Sequence, residues 1–229
     1  MQKWEQCLKL ISNLILKRDK DWLHVGIGGE GSGKSTLGWN SCQFVANQLG
    51  TPFSNDNVVF TLAELQEALL TLPNRSVIMF DEAEGVLYSR DAMSRNVKWL
   101  NKKLMSMRAL NHFMWLNIPD LFSLDIYVRK FRVKSLTECF EKELYTGLKL
   151  DMGYGVEIEE ILTELGYFNI YDKHSINRIH KDRKTGREIW TRPNDWDTFD
   201  AIDMNDKEYI LYLKRKDAYI KNDGVAKDD

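Results

Sequence analysis

Leu23-His24-Val25-Gly26-Ile27-Gly28-Gly29-Glu30-Gly31-Ser32-Gly33-Lys34-Ser35-Thr36 is the stretch on which the fold turns. Residues 23–27 are a short apolar run entering a glycine cluster, as a buried strand does, and the residues from Lys34 to about Leu49 read as a helix. Gly28, Gly33, Lys34 and Ser35 fill every fixed position of the pattern G-x-x-x-x-G-K-[ST], in the strand-to-helix context that the pattern requires. Glycines there let successive backbone N–H groups turn inward around phosphates, and the helix N-terminus adds positive potential. The expected cradle for ATP is Gly28, Gly29, Glu30, Gly31, Ser32, Gly33, Lys34, Ser35 and Thr36. Within it Lys34 reaches the β and γ phosphates, Ser35 ligates Mg²⁺ and Thr36 offers a backbone contact to the α phosphate. The plainer alternative, a glycine-rich turn with an ordinary lysine, is weakened by the strand before it and the helix after it.

Working outward, residues 76–80 form a second buried strand that delivers two carboxylates, Asp81 and Glu82, at its C-terminal end, where the ligands of parallel sheets collect. Asp81 is expected at the Mg²⁺ hydration shell and Glu82 as the base that polarises an attacking water. A nucleotide kinase needs no such base, so Glu82 favours hydrolysis. Residues 113–116 are a further apolar run ending at Asn117, which is either a sensor of the γ phosphate or a polar strand cap before Ile118 and Pro119. Arg108, at the end of a long helix lined by Met93, Val97, Leu100, Leu104 and Met107, is the candidate arginine finger acting on a neighbour's ATP. Arg90, Arg95, Arg129 and Arg132 compete for that role, and a solvated helix face explains any one of them.

Around these motifs, Trp4, Leu8, Ile11 and Ile15 recur at steps of three and four, which predicts an amphipathic helix over the first 17 or so residues. Residues 58–60 make a short strand, and Thr61-x-x-Glu64 is a capping box opening a helix with Leu62, Leu65, Leu69 and Leu70. Residues 131–139 alternate as a fifth strand, and residues 156–165 read as a short helix. Residues 176–190 read as a charged hairpin turning at Lys184-Thr185-Gly186, and Asn205-x-x-Glu208 as the opening of a last amphipathic helix. Alternating strands and helices predict an α/β fold with a mainly parallel sheet. The reading divides the chain into a core over 1–150, including the N-terminal helix, and a small α+β extension over 151–229.

Composition narrows the setting. A net charge of -2 gives no global pull toward DNA or an anionic membrane, so a nucleic-acid surface has to come from local clusters. Three such clusters exist: Lys102, Lys103 and Arg108; Arg129, Lys130, Arg132 and Lys134; and Arg178, Lys181, Arg183, Lys184 and Arg187 in the hairpin. The last is equally what a solvated loop looks like. Cys7, Cys42 and Cys139 lack CxxC spacing, which fits reduced thiols in the cytoplasm, and no apolar run is long enough for an integral membrane segment.

With the loop through Ser35, the pair Asp81-Glu82, the helix ending at Arg108 and the strand ending at Asn117-Ile118-Pro119, the first 140 or so residues resemble the additional-strand, catalytic-glutamate P-loop ATPases. Within that class, residues 106–119 and 124–129 make the chain most similar to the FtsK-HerA DNA pumps, viral packaging ATPases included, and to zonula occludens toxin-like ATPases. The resemblance implies a P-loop NTPase core sheet of five strands in the order 5-1-4-3-2. It also implies a homo-oligomeric ring, usually a hexamer, that moves double-stranded DNA at the expense of Mg-ATP, in an infected host cell or at a virion vertex for the viral members. Two other functions fit the same engine: an ATP-dependent protein assembly or secretion factor, and an ATP-binding regulatory switch, against which Glu82 argues.

Overall fold

The computed structural model describes the backbone of residues 2–81, 99, 102–104, 107–151, 157–202 and 205–221 and, outside residues 107 and 143–165, their side chains. Along the chain these residues run α1 (Gln2–Arg18), β1 (Trp22–Ile27), α2 (Lys34–Leu49), β2 (Val58–Val59), α3 (Leu62–Thr71), β3 (Val77–Phe80), β4 (Phe113–Asn117), α4 (Ile126–Phe131), β5 (Val133–Asp151), β6 (Glu157–Asp172), α5 (Lys173–Arg178), β7 (His180–Lys181), β8 (Glu188–Ile189), β9 (Asp195–Thr198) and α6 (Lys207–Lys221). The fold is α/β, with a mostly parallel central sheet flanked by helices. Its strand order is β2-β3-β4-β1-β5-β6-β9. From β2 to β5 all neighbours are parallel, and β6 and β9 add antiparallel pairs at one edge.

The central strands are continuous apolar runs because helices cover both of their faces. Val77 and Met79 of β3 and Phe113 and Trp115 of β4 belong to one core, with Trp4, Leu8, Ile11 and Ile15 of α1 and Leu37, Trp39 and Val45 of α2. Their alternate neighbours Ile78, Phe80, Met114 and Leu116 belong to the other, with Leu65 and Leu69 of α3 and Val128 of α4. This two-residue alternation is the pleat of the strand expressed in packing. The predicted stripe of α1 is thus core-facing. Its indole at Trp4 donates to Ser41 Oγ of α2 at 2.8 Å, and its Trp4 N–H donates to Asp197 of β9 at 2.9 Å. The capping box of α3 forms as expected, with Glu64 N–H on Thr61 Oγ1 at 3.1 Å and Thr61 N–H on Glu64 Oε2 at 3.3 Å.

Four local expectations need correction. Of the expected helix over 156–165, residues 157–165 are strand: β6 pairs with β5 from Asp151↔Glu157 to Ser135↔Asp172, so a cross-strand ladder satisfies the backbone groups that a helix would have satisfied locally. The fifth strand begins at Val133, because Phe131 ends α4, a turn whose N-terminal N–H at Tyr127 is capped by Asp125 at 2.8 Å. The charged hairpin is shorter than residues 176–190. Its paired residues are His180↔Ile189 and Lys181↔Glu188, and Ile176 sits in α5. Finally, α6 is capped by Asp206, whose side chain accepts from the N–H groups of Glu208 and Tyr209 at 2.9 and 3.2 Å, rather than by Asn205.

The expected boundary near residue 150 falls at the β5–β6 hairpin, beyond which β6 and β9 continue the same sheet. Most of the expected long helix through Met93 lies outside the described residues, of which 99 and 102–104 are helical. No helix among the described residues is long and apolar enough to cross a membrane.

At the N-terminal end of the central strands, Asp21 is buried with its carboxylate on Arg132 and, at 2.8 Å, on Lys134 Nζ. Burial pushes this carboxyl up, but the two cations and their hydrogen bonds outweigh it and hold it below the ordinary carboxylate range. Asp21→Ala strands the buried Arg132 and should cost about 3 kcal/mol in a urea titration at neutral pH. A depressed folded-state carboxyl contributes stability above its unfolded value and loses it as the pH falls through the folded value. The gap between wild type and variant should therefore close in acid. A gap that is constant with pH would exclude the ion pair as its source.

Candidate functional site

The loop between β1 and α2 is shaped by backbone that only glycine tolerates. Gly33 sits at φ 89° as the residue capping α2, and a Cβ there would lie 2.5 Å from the Phe199 ring. Gly28 sits at φ 144°, where a Cβ would run into the Cys139 carbonyl of β5. Gly33 has no side chain with which to cap α2, so the first-turn N–H groups, at the lining of the loop cavity, are available as anion donors. Lys34 folds over the loop and donates to the carbonyls of Gly28 and Gly29 at 2.7 and 2.6 Å. Ser32 Oγ closes the turn on the Gly29 carbonyl at 2.8 Å.

Parallel pairing then brings three strand ends under this loop. Gly26 of β1 is level with Asn117 of β4, and Asp81 follows the last residue of β3, with its N–H on the Val59 carbonyl at 3.0 Å. Asp81 is 0% exposed, and its carboxylate accepts from Asn117 Nδ2 at 2.8 Å and from Ser35 Oγ, which lies 3.1 Å from each oxygen. Asn117 is oriented in turn by the Trp115 indole N–H, 2.7 Å from its Oδ1. Of the expected site residues, Lys34, Ser35, Asp81 and Asn117 converge on one cavity of about 580 Å³. Arg108 does not. It is exposed in the 3-10 turn Met107–Leu110 that precedes the N-terminal end of β4, at the opposite edge of the sheet from Asn117. Glu82 lies outside the described residues.

The wall facing the loop was not legible in the sequence. It is α6, which contributes Tyr209, Tyr212, Leu213, Lys216 and Ile220 to the cavity. Tyr212 donates its hydroxyl to Asp81 Oδ2 at 2.5 Å, and Lys216 Nζ donates to the same oxygen at 2.9 Å and to Ser35 Oγ at 2.7 Å. The local signals were the amphipathic pattern of the last helix, with Tyr209, Leu213 and Ile220 on its stripe, and the four-residue spacing that puts Tyr212 and Lys216 on one face. Burial pushes the Asp81 carboxyl up, but the Lys216 ammonium and the hydrogen bonds from Tyr212 and Asn117 more than reverse this and hold it ionised. Burial and the same carboxylate push the Tyr212 phenol far up, so it remains a donor.

Chemically, the cavity offers backbone N–H groups and the Lys34 ammonium for an anion, and a hydroxyl beside a carboxylate for a hard cation. Among the described residues there is no group of three or more His, Cys, Asp or Glu that would hold a metal without an anionic ligand. A Mg²⁺ ion that arrives with phosphates needs only one or two protein oxygens, which Ser35 and Asp81 supply. The donor set therefore fits a magnesium polyphosphate. Comparison of the chain with protein-family models, with curated proteins and with solved structures finds no match.

Gly38 tests how tightly this network is held. A Cβ at Gly38 of α2 would lie 2.7 Å from Trp115 Nε1 and 3.0 Å from Met79 Cε. Alanine improves helix propensity by about 1 kcal/mol, but overpacking costs about 1–3 kcal/mol and here displaces the indole that orients Asn117. Gly38→Ala should be less stable than wild type in a denaturant titration. A more stable variant would mean that Trp115 yields freely.

Proposed function

We propose that this chain is a Mg-ATP-hydrolysing motor, and that it works as a ring-forming translocase of double-stranded DNA. The observation that carries the first half is the meeting of Ser35, Asp81 and Asn117 beneath a glycine loop at the C-terminal edge of a mainly parallel sheet. The order β5-β1-β4-β3-β2 within that sheet supports placing it with the P-loop ATPases of the catalytic-glutamate class. In this reading Lys34 and the α2 N-terminus bind the β and γ phosphates, while Ser35 and Asp81 hold the metal side. Asn117 orients groups at the γ phosphate, and Glu82, the residue after Asp81, takes the proton of the attacking water. Bound Mg²⁺ supplies neutralisation of phosphate charge.

The DNA half rests on charge. Beyond α4, a cavity of about 920 Å³ opens between Phe122, Leu124, Ile126 and Arg129 on one side and residues 180–184 of the hairpin on the other. Lys181 and Arg129 both lie over the Phe122 ring, at 4.7 and 4.5 Å, and Arg183 and Lys184 of the hairpin tip are exposed beside them. Such an aromatic and cationic surface suits a phosphate backbone. The exposure of Arg108 supports it as the group that acts on another subunit, whereas Arg129 is half-buried against Phe122.

Lys34→Ala should abolish tight binding of a fluorescent ATP analogue. Glu82→Gln should keep that binding and lower hydrolysis by about two to four orders of magnitude, the usual contribution of a general base. Turnover within a few-fold of wild type would remove Glu82 from the mechanism.

Duplex DNA should stimulate hydrolysis, and the stimulation should fall as salt rises. Arg108→Ala should bind ATP normally, turn over slowly, and recover when mixed with Lys34→Ala subunits. Hydrolysis indifferent to DNA would favour a protein cargo instead. Activity that survives in Arg108→Ala would exclude the finger.

A further inference from the structure

Lys216 reaches the site from the opposite end of the chain. Its ammonium lies 2.7 Å from Ser35 Oγ and 2.9 Å from Asp81 Oδ2, bridging the two oxygens expected to face Mg²⁺. The Lys216 side chain is 18% exposed and Asp81 is sealed from solvent, so the contact forms in a water-poor setting, where charge interactions are strong. Mg²⁺ binds oxygen at about 2.0–2.1 Å, so a metal on Ser35 Oγ would bring a second positive charge to the oxygen that already accepts from the ammonium. Two cations this close repel each other strongly in a water-poor setting, which favours departure of one as the other arrives.

Loss of the Lys216 contact should loosen α6 without detaching it. Other residues hold α6 at a distance from the site: Arg215 binds Glu64 Oε1 at 2.9 Å and the Asn55 carbonyl at 2.7 Å, and Glu208 accepts from the Asn55 N–H at 3.0 Å. Tyr212 and Tyr219 of α6 stack with Phe60, with ring centroids 6.2 and 5.3 Å away. We propose that Lys216 is a tethered counter-ion that competes with Mg²⁺ for the seat between Ser35 and Asp81. Lys216 thereby sets the metal requirement of nucleotide binding and makes α6 responsive to the loaded state. This rests on the nucleotide-site reading above. Lys216 acts here as a positioning residue: it pairs with Asp81 and orients Ser35 until the metal replaces it.

The test uses the full chain and two probes. A mant-ADP titration in EDTA and in Mg²⁺ first establishes nucleotide binding. Mn²⁺ titration of the ADP complex, followed by electron paramagnetic resonance, then compares wild type with Lys216→Met and Lys216→Arg. Removing the competing charge should tighten Mn²⁺ binding at least about tenfold in Lys216→Met, with Lys216→Arg staying near wild type. The Mg²⁺ concentration that half-saturates mant-ADP binding should fall by the same factor. An ordinary structural salt bridge predicts lower stability with unchanged metal affinity, and that result overturns the proposal.

Hydrogen exchange on the wild-type protein tests the same idea if Lys216→Met fails to fold. Amides of residues 207–221 should exchange faster when Mg²⁺ is added to the ADP complex, and unchanged exchange overturns the proposal. If mant-ADP binds wild type in neither buffer, the nucleotide reading itself falls and this inference with it. Binding without the metal effect removes this inference alone.

Discussion

The rest of the site depends on one buried charge. Asp81 stands at the end of β3 with no solvent contact, where an ionised carboxylate is unfavourable unless it is paired and hydrogen-bonded. Its partners come from three separate parts of the chain: Ser35 from α2, Asn117 from β4, and Tyr212 and Lys216 from α6. Each of them is held by something else in turn, as Asn117 is by Trp115 and Trp115 by the close approach of Gly38. Satisfying this carboxylate therefore draws together segments from residue 35 to residue 216. The same demand would make a metal ion a natural substitute for the lysine.

Continuity of the sheet turns this into a single unit. The two long strands β5 and β6 carry the sheet outward from β1, and β9 closes on β6 while its Asp197 receives the first turn of α1. Phe199, just past β9, lies against the loop at Gly33, and α6 follows a few residues later. The C-terminal third of the chain thus does structural duty at both the edge of the sheet and the mouth of the cavity. Phe168, Ile170, Tyr209 and Tyr212 share a core with Trp4 and Trp39, so residues beyond 150 pack directly on those before it.

Much of the N-terminal half could be read locally because its signals are local. The stripe of α1, the capping box at Thr61 and Glu64, the start of α2 at Lys34 and the apolar runs of β1, β3 and β4 each depend on spacing within a dozen residues. Lys34, Ser35, Asp81 and Asn117 could be nominated for the same reason: they stand at element ends that the pattern itself marks. Residues 156–165 misled because Ile158 and Ile161, three apart, suit a helix, whereas pairing with β5 satisfies the backbone as strand. Asp206 displaced Asn205 as the cap of α6 because a one-residue choice between two good capping types is made by geometry.

By itself, then, the sequence determined the α/β class, the glycine loop between β1 and α2, and the delivery of an acid at the end of β3. Short-range periodicity and the steric licence of glycine are sufficient to dictate these features. Only the tertiary structure decided that Tyr212 and Lys216 would complete the Asp81 network from more than a hundred residues away. It alone also decided that residues 157–165 would pair with β5 as strand. Those outcomes depend on which strands become neighbours and where α6 comes to rest. Such contacts are fixed by burial and charge satisfaction across the whole molecule, and no local spacing encodes them.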